Sequence, residues 1–344
     1  MPDPGANACQ TAAVLCGFGG YVPHSTLANA ELAERFAVDP EWILQRTGIA
    51  ERRVVEPGGA TSDLAVHAGR AALAMADGPP PDAIVLATST PDHVTPATAP
   101  DVADRLGLGG AAAFDVGAVC SGFVYGLATA TGLIRGGVAR RVLLIGADTY
   151  TTVVDPLDRG AAILFGDGAG AVVVRAGTPD EPGAVGEFDL GSDGAHKDLI
   201  LMPAGGSRQR SSGAQLPPDT QRTHRYARVV GNEVFRNAVR RMTASSRAVL
   251  DAAGWPPDQV DHVVPHQANA RITRAVAEHL GVPRDRFLSN IERVGNTAGA
   301  SIPLLLAHAA AERRLAAGAL VLLTAFGGGL TWGSATLTWP ALTP

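Results

Sequence analysis

The stretch that decides the fold is Phe114-Asp115-Val116-Gly117-Ala118-Val119-Cys120-Ser121-Gly122-Phe123, where an apolar run gives way to small residues and then to an amphipathic segment. This pattern predicts a strand, a sharp turn and a helix that begins at Cys120. A thiol at a helix N-terminus faces unpaired backbone N–H groups and the positive end of the helix dipole. We therefore expect a nucleophile whose pKa lies below the free value of about 8.5, rather than a buried structural cysteine.

The composition excludes several classes of function. The chain has 344 residues, and 46% of them are hydrophobic, so it can bury a large core. Its three cysteines (Cys9, Cys16 and Cys120) are scattered, which is typical of a reducing compartment rather than of a disulfide framework or metal cluster. The net charge of −5 argues against nucleic acid as a partner. Lys197 is the only lysine, so no Gly-Lys phosphate loop occurs.

The two ends of the chain predict neither a leader nor a membrane span. Residues 1–10 have no basic region and no long apolar core. Residues 315–344 carry no charge, but glycines and threonines interrupt the run. We predict two buried strands joined by a glycine turn there, in a cytoplasmic protein that contacts no membrane.

Short apolar strands alternate with alanine-rich helices, which predicts α/β layers with buried sheets. The predicted strands are residues 13–17, 83–87, 142–146, 170–175, 262–264, 320–325 and 334–339. The predicted helices are residues 27–37, 61–76, 97–106, 120–136, 231–253, 268–280 and 300–317. The charged, Ser/Gly-rich stretch 205–228 predicts a mobile surface loop.

The two halves of the chain repeat one order of elements. In the first half, a helix from Cys120 is followed by apolar segments at residues 142–146 and 166–174. In the second half, a helix that begins within residues 297–301 is followed by apolar segments at residues 321–325 and 329–337. The shared order and similar spacing predict an internal duplication. We place the boundary in the Pro/Gly/acidic stretch 177–186, which gives halves of residues 1–178 and 179–344.

Three further motifs carry candidate chemistry. His266 follows a short apolar strand and projects from its end; a metal site shared with His262 is excluded, since residues four apart on a strand lie about 13 Å from each other. Asn296 stands at a loop-to-helix junction, where a catalytic amide and a helix N-cap are both open interpretations. The glycines at 327–329 either form a tight turn or let backbone N–H groups approach a ligand.

Together, and in this order, the motifs resemble the β-ketoacyl-acyl-carrier-protein synthase III family of the thiolase superfamily. The likeness runs from about Val14 to Trp339. Its motifs lie at residues 41–49, 158–160, 165–170, 231–235, 266–271 and 327–333. The resemblance implies an α/β, thiolase-like fold in which duplicated βαβαβαββ halves form a five-layered αβαβα architecture.

The resemblance also implies roles for individual residues. Cys120 would take an acyl group from acyl-CoA, with its own N–H and that of Gly328 as the oxyanion hole. His266 and Asn296 would hydrogen-bond the malonyl thioester oxygen as an enolate forms, each donor contributing about 3–4 kcal/mol. The resemblance implies that CoA is bound by Trp42, Arg46, Arg159, Gly231, Phe235, Ala268 and Asn269. It implies that a carrier protein docks on Arg236, Arg271 and Arg274. It also implies an acyl pocket formed by Thr95, Phe165, Phe326 and Leu330. No metal and no cofactor are implied.

The leading interpretation is a condensing enzyme that starts fatty-acid or polyketide chains by joining an acyl-CoA to a malonyl thioester, carried by acyl carrier protein or by CoA. An acyltransferase of the same fold that performs no condensation is the alternative; Asn296 favours condensation, because simple transfer forms no enolate. The resemblance further implies a homodimer in which residues 92–96 reach the partner's acyl pocket. Relatives that prefer acetyl-CoA carry Phe where this chain has Thr95, so we expect a longer or more branched starter.

Overall fold

The computed structural model describes residues 11–213 and 225–342, to which the structural statements below refer. The strands are β1 (Ala12–Tyr21), β2 (Thr26–Ala28), β3 (Glu51–Arg53), β4 (Ala83–Ala87), β5 (Ala112–Val116), β6 (Arg141–Thr149), β7 (Asp167–Gly177), β8 (Val185–Ser192), β9 (Ile200–Leu201), β10 (Arg228–Val229), β11 (His262–Pro265), β12 (Leu320–Gly327) and β13 (Thr331–Thr338). The helices are α1 (Asn29–Phe36), α2 (Pro40–Thr47), α3 (Thr61–Met75), α4 (Ala99–Arg105), α5 (Gly122–Arg135), α6 (Arg159–Ala162), α7 (Ser207–Ser211), α8 (Gly231–Ala253), α9 (Ala270–Leu280), α10 (Ile291–Val294) and α11 (Ser301–Ala311).

The first sheet has the order β1-β7-β6-β4-β5. Strand β4 runs parallel to β5 and β6, whereas β7 runs antiparallel to β6 and β1. Strands β4 and β6 are buried at every residue, as expected of Val/Ile/Leu/Ala runs covered on both faces. Strand β5 lies at the edge, and no other described strand pairs with its outer side.

The second sheet repeats this plan with the order β11-β12-β13-β8. Strand β11 is parallel to β12, and an isolated parallel bridge between Val263 and Phe287 stands where the first sheet has β5. The chain passes from one sheet to the other between Gly177 and Val185. The division into halves at residue 178 stays a prediction.

Five layers result from the packing of these elements. Helices α5 and α11 lie between the sheets in one core with strands of both, while α3 and α4 cover the outer face of the first sheet. Helices α8 and α9 cover the outer face of the second sheet. The predicted αβαβα, thiolase-like fold is therefore confirmed.

Several predicted boundaries were wrong. The predicted helix 27–37 begins as strand β2, and α2 was not predicted. The helix predicted for residues 300–317 ends at Ala311, close to Arg313, which adopts a φ of 55°. Cys120 lies in a 3₁₀ turn, Val119–Ser121, and the α-helix begins two residues after Cys120, at Gly122.

The uncharged C-terminal run forms the antiparallel hairpin β12–β13, as predicted. In the part of the chain that the structure describes, no helix has the length and hydropathy needed to cross a lipid bilayer. Of the loop predicted for residues 205–228, residues 214–224 lie outside the described residues, and its flanks hold the short helix α7 and the strand β10.

Candidate active site

Cys120 sits on a sharp turn that links β5 to α5. Val119, the residue before it, has a φ of 48°, and this conformation turns the chain from the strand into the helix. Thr331, the first residue of β13, holds the turn from the other half: its hydroxyl donates to Ala118 O at 3.1 Å, and its carbonyl accepts from Ser121 Oγ at 3.1 Å. The nucleophile turn is therefore fixed by contacts across the two halves.

The expected lowering of the Cys120 pKa was wrong. Burial raises the pKa of the thiol to about 12, and the charge of Asp148 adds to the rise. Only 8% of Cys120 is exposed, so loss of hydration outweighs the backbone N–H groups that favour a thiolate. The thiol is neutral at physiological pH and has to lose its proton as it attacks.

Gly327 lets β12 pass directly against the nucleophile turn. A Cβ atom at this position would stand 2.7 Å from Cys120 N, which is closer than real Cβ atoms approach, and 3.1 Å from Ser121 N, which is a tight contact. A Cβ at Gly328 would meet side chains instead, Ile200 Cγ2 at 3.2 Å and Val119 Cγ2 at 3.3 Å. The glycine run is thus a close approach of backbone to the nucleophile.

His266 follows β11, and its backbone N–H donates to Thr324 O at 2.8 Å. Its side chain is 2% exposed, and neither ring nitrogen has a hydrogen-bond partner among the described residues. Burial lowers the pKa of His266 to about 3, so the imidazole is neutral. A neutral imidazole offers one N–H donor and one lone pair.

Asn296 is held by the segment that precedes β7. Its N–H donates to Leu164 O at 2.9 Å, and its carbonyl accepts from Gly166 N at 2.9 Å. The side-chain oxygen accepts from Ala298 N at 3.0 Å, so this oxygen stabilises the turn that leads to α11. The amide NH₂ group has no such partner among the described residues, and Asn296 lines the cavity.

One cavity of about 420 Å³ joins these side chains. Cys120, His266 and Asn296 all line it, together with Phe165 and Phe326. The residues predicted to bind CoA also line it, namely Trp42, Arg46, Arg159, Gly231, Phe235, Ala268 and Asn269. The chain thus brings the three predicted reactive side chains and the predicted CoA-binding residues to a single site.

Trp42 lies within cation–π distance of two guanidinium groups at the cavity. Arg46 Cζ lies 5.3 Å and Arg159 Cζ 5.4 Å from the ring centroid. A base stacked between Trp42 and Arg159 needs about 7 Å, two contacts of about 3.5 Å. Arg159 is exposed, so its side chain can move outward to admit one.

The other predicted residues lie at differing distances from the cavity. Arg271 lines it, with its guanidinium 5.7 Å from the Phe235 ring centroid, and Arg274 is exposed on the same helix, α9. Arg236 lines a neighbouring groove of about 450 Å³. Thr95 and Leu330 do not line the cavity in the single chain: Thr95 is on an exposed loop, and Leu330 is buried in the core under α8 and α9.

Sequence reasoning missed three side chains of this region. Tyr150 lines the cavity at the end of β6, and Asp148 is a fully buried carboxylate two residues earlier. Arg52 is fully buried and donates to Asn29 Oδ1 and to the carbonyl of Ile163, behind the cavity wall. A lone acidic residue in the apolar run of β6 was a visible signal for Asp148; none marked the other two.

A neutral thiol beside two uncharged hydrogen-bond donors is suited to thioester exchange followed by enolate formation. On this duplicated fold, that chemistry defines a thiolase-type condensing enzyme.

The comparisons with known proteins agree with this class. Residues 114–194 match the family model described as 3-oxoacyl-[acyl-carrier-protein] synthase III, and residues 250–339 match that of its C-terminal part. The chain is 54% identical to β-ketoacyl-[acyl-carrier-protein] synthase III 5 of Streptomyces coelicolor over 96% of this chain and 98% of that one. It therefore belongs to the β-ketoacyl-acyl-carrier-protein synthase III family.

Solved structures also match this chain over nearly its whole length. The crystal structure of 3-oxoacyl-(acyl carrier protein) synthase III from Pseudomonas aeruginosa matches with a TM-score of 0.90 and 50% identity, over 97% of this chain and 100% of that one. The priming β-ketosynthase of a polyketide biosynthetic pathway matches with a TM-score of 0.87 and 33% identity, over 98% and 99% of the two chains.

Proposed function

We propose that this chain starts fatty-acid or polyketide chains in the cytoplasm by condensing an acyl-CoA with a malonyl thioester through an acyl-Cys120 intermediate. It is a condensing enzyme of the synthase III type. The observation that supports the detailed mechanism is the convergence of Cys120, a neutral His266 and Asn296 on one cavity.

In the first half-reaction, Cys120 attacks the acyl-CoA thioester. Because the thiol is protonated, it loses its proton as the new bond forms, and one proton ends on the CoA sulfur, so the products are acyl-Cys120 and CoA thiol. The negative charge on the thioester oxygen would be held by the N–H groups of Cys120 and Gly328. Gly327 supports this role, because only a glycine leaves space at Cys120 N.

In the second half-reaction, a malonyl thioester loses carbon dioxide. The enolate oxygen that results would accept hydrogen bonds from the N–H of His266 and the NH₂ of Asn296. Neutral donors suit this step, since a carboxylate at either position would repel the enolate. The enolate carbon then attacks the acyl-Cys120 carbonyl, releasing the β-ketoacyl product and the Cys120 thiolate, which takes up one proton from solvent to restore the thiol.

Basic residues at the entrance support an acidic partner. Arg271 lies at the cavity, and Arg236, Arg240 and Arg247 line the neighbouring groove on α8. With Arg274, they form an exposed basic face next to the entrance that could receive an acyl carrier protein bearing the malonyl group. No cofactor takes part in these steps, in which acyl-CoA and the malonyl thioester are substrates.

The edge of the first sheet supports a homodimer. Strand β5 leaves one side without a partner among the described strands, and open edges of this kind invite pairing with another chain. Val94 is 72% exposed on the loop that carries Thr95. Pairing of two β5 strands across a two-fold axis would cover the edge and bring the loop to the partner's cavity.

Incubation with an acyl-CoA and carboxyl-labelled malonyl-carrier protein tests the proposal. We expect an acyl mass on Cys120, release of labelled carbon dioxide, and a β-ketoacyl product. An acyl-enzyme that forms without carbon dioxide release would make the chain an acyltransferase, and condensation would then be excluded.

A further inference from the structure

Tyr150 places a phenol inside the cavity, close to the nucleophile. The residue follows the last residue of β6, is only 5% exposed, and belongs to the same buried cluster as Cys120 and Phe165. Its hydroxyl has no hydrogen bond with any described residue, although the residue lines the cavity. Nothing in the steps above uses this group.

The phenol is held rigidly. Its ring stacks on Phe165 with centroids 4.3 Å apart and planes 21° apart. Phe165 in turn forms a backbone bridge with Asn296. On the other side, the preceding residue is anchored by a bond from Thr149 N to Thr90 Oγ1 at 2.9 Å. The hydroxyl therefore keeps a fixed position relative to the reactive side chains.

The surroundings of the phenol are apolar. Ile163 and Phe165 belong to the same buried cluster as Tyr150, and Leu164 packs against it; none of these three side chains can accept a hydrogen bond. A hydroxyl at the cavity wall loses contact with water when an acyl chain fills the cavity, so a ligand that supplies an acceptor there gains affinity over one that does not. The thioester oxygen cannot serve, since the proposed mechanism assigns it to the backbone N–H groups of Cys120 and Gly328.

We propose that Tyr150 is a specificity-determining residue that selects starter acyl groups bearing an oxygen on the acyl chain, such as a hydroxyl or keto group. The inference rests on the proposed function, because the ligand is the acyl group held by Cys120. It also fits a starter longer than acetyl, since acetyl has no chain position for a second oxygen. One neutral hydrogen bond corresponds to about a tenfold preference.

The test uses pairs of acyl-CoAs of equal chain length. Butanoyl-CoA is compared with 3-hydroxybutanoyl-CoA, and pentanoyl-CoA with 4-oxopentanoyl-CoA, by the rate of Cys120 acylation in mass spectrometry. We expect the wild-type enzyme to favour the oxygenated member of at least one pair by about tenfold, and Tyr150→Phe to bring that ratio close to one. Tyr21→Phe, the same change on the half-buried end of β1 away from the cavity, should keep the wild-type ratio.

Equal rates within both pairs for the wild-type enzyme, or an unchanged preference in Tyr150→Phe, would overturn the inference. So would a Tyr150→Phe variant that keeps the ratio but releases carbon dioxide more slowly from the malonyl thioester, since the phenol would then serve the second substrate. If no acyl-CoA acylates Cys120 at all, the proposed function itself fails.

Discussion

The backbone N–H of Gly299 donates a hydrogen bond to the Asp148 carboxylate at 2.7 Å. Gly299 occupies the position in the second half that corresponds to Cys120 in the first half. The 3₁₀ turns Val119–Ser121 and Ala298–Ala300 match, since each begins with a residue of positive φ, 48° at Val119 and 46° at Ala298. Strand β6 pairs with β4 in the same register as β12 pairs with β11, and in this superposition of the two halves Asp148 on β6 corresponds to Gly327 on β12.

The space next to the backbone N–H in the middle of each 3₁₀ turn is thus occupied differently in the two halves. In the second half, the carboxylate of Asp148 fills it and accepts from Gly299 N. In the first half, Gly327 leaves it open beside Cys120 N. Burial raises the pKa of Asp148 to about 6, so the group is still largely ionised at neutral pH. Because the N–H of Gly299 binds the anionic oxygen of Asp148, the corresponding N–H of Cys120 is suited to bind the oxyanion of a substrate.

Gly327→Ala should slow acylation of Cys120 by about a hundredfold or more, because its Cβ would push against Cys120 N and displace an oxyanion donor. Gly328→Ala, the matched control, meets only side chains that can shift and should cost less than about tenfold. Acylation rates from acyl-CoA, with circular dichroism as a check of folding, decide between them. Equal losses in the two variants would contradict the close approach at Gly327.

Alkylation of Cys120 by iodoacetamide should accelerate with pH throughout the range from about 6 to 10, without a plateau. The raised pKa means that the thiolate fraction grows about tenfold per pH unit until the pKa of about 12 is approached. Peptide mass spectrometry follows the Cys120 peptide alone, with Cys120→Ala as the blank. An alkylation rate that levels off below pH 8.5 would show that the helix N-terminus lowers the Cys120 pKa by more than burial raises it.

Asn296→Asp should keep acylation of Cys120 within a few-fold but reduce condensation by about 10² to 10³, because a carboxylate opposes the enolate. Cys120 mass gain and labelled carbon dioxide release are measured on the same sample. An unimpaired release of carbon dioxide would remove Asn296 from the mechanism.

Sedimentation at micromolar concentration should give twice the chain mass, because the edge of β5 and the exposed Val94 loop would be covered in a dimer. A charged substitution on the edge strand, Ala113→Asp, should weaken this association, whereas Ala111→Asp just before the strand should not. A wild-type monomer under these conditions would exclude the two-fold arrangement.

Thr95→Phe should shift the acyl preference toward acetyl if Thr95 reaches the partner's cavity. Each CH₂ that loses apolar burial there lowers binding by about 0.8 kcal/mol, or roughly fourfold. Acylation rates for acyl-CoAs of rising length give the profile. An unchanged profile, or a wild-type optimum at acetyl, would refute this role of Thr95.

The local pattern around Cys120 was enough to predict the strand, turn and helix that hold the nucleophile. The alternation of apolar runs and the glycines near β12 are short-range features, and they predicted the α/β layers. The duplication was visible because the order of elements in the first half recurs in the second. The segment 231–253 became α8 without change, because its apolar residues recur with helical spacing. Helix ends were less predictable, as at Ala311, because local backbone conformation there does not follow the apolar pattern.

The sequence by itself determined which elements form, in what order, and which three side chains end at turns beside them. Only the tertiary structure decided the chemical state of those side chains. The thiol of Cys120 is neutral rather than ionised because desolvation depends on every atom packed around it, and those atoms come from both halves. The same holds for Tyr150, whose place in the cavity follows from stacking on Phe165, fifteen positions away along the chain, and not from its own neighbours in sequence.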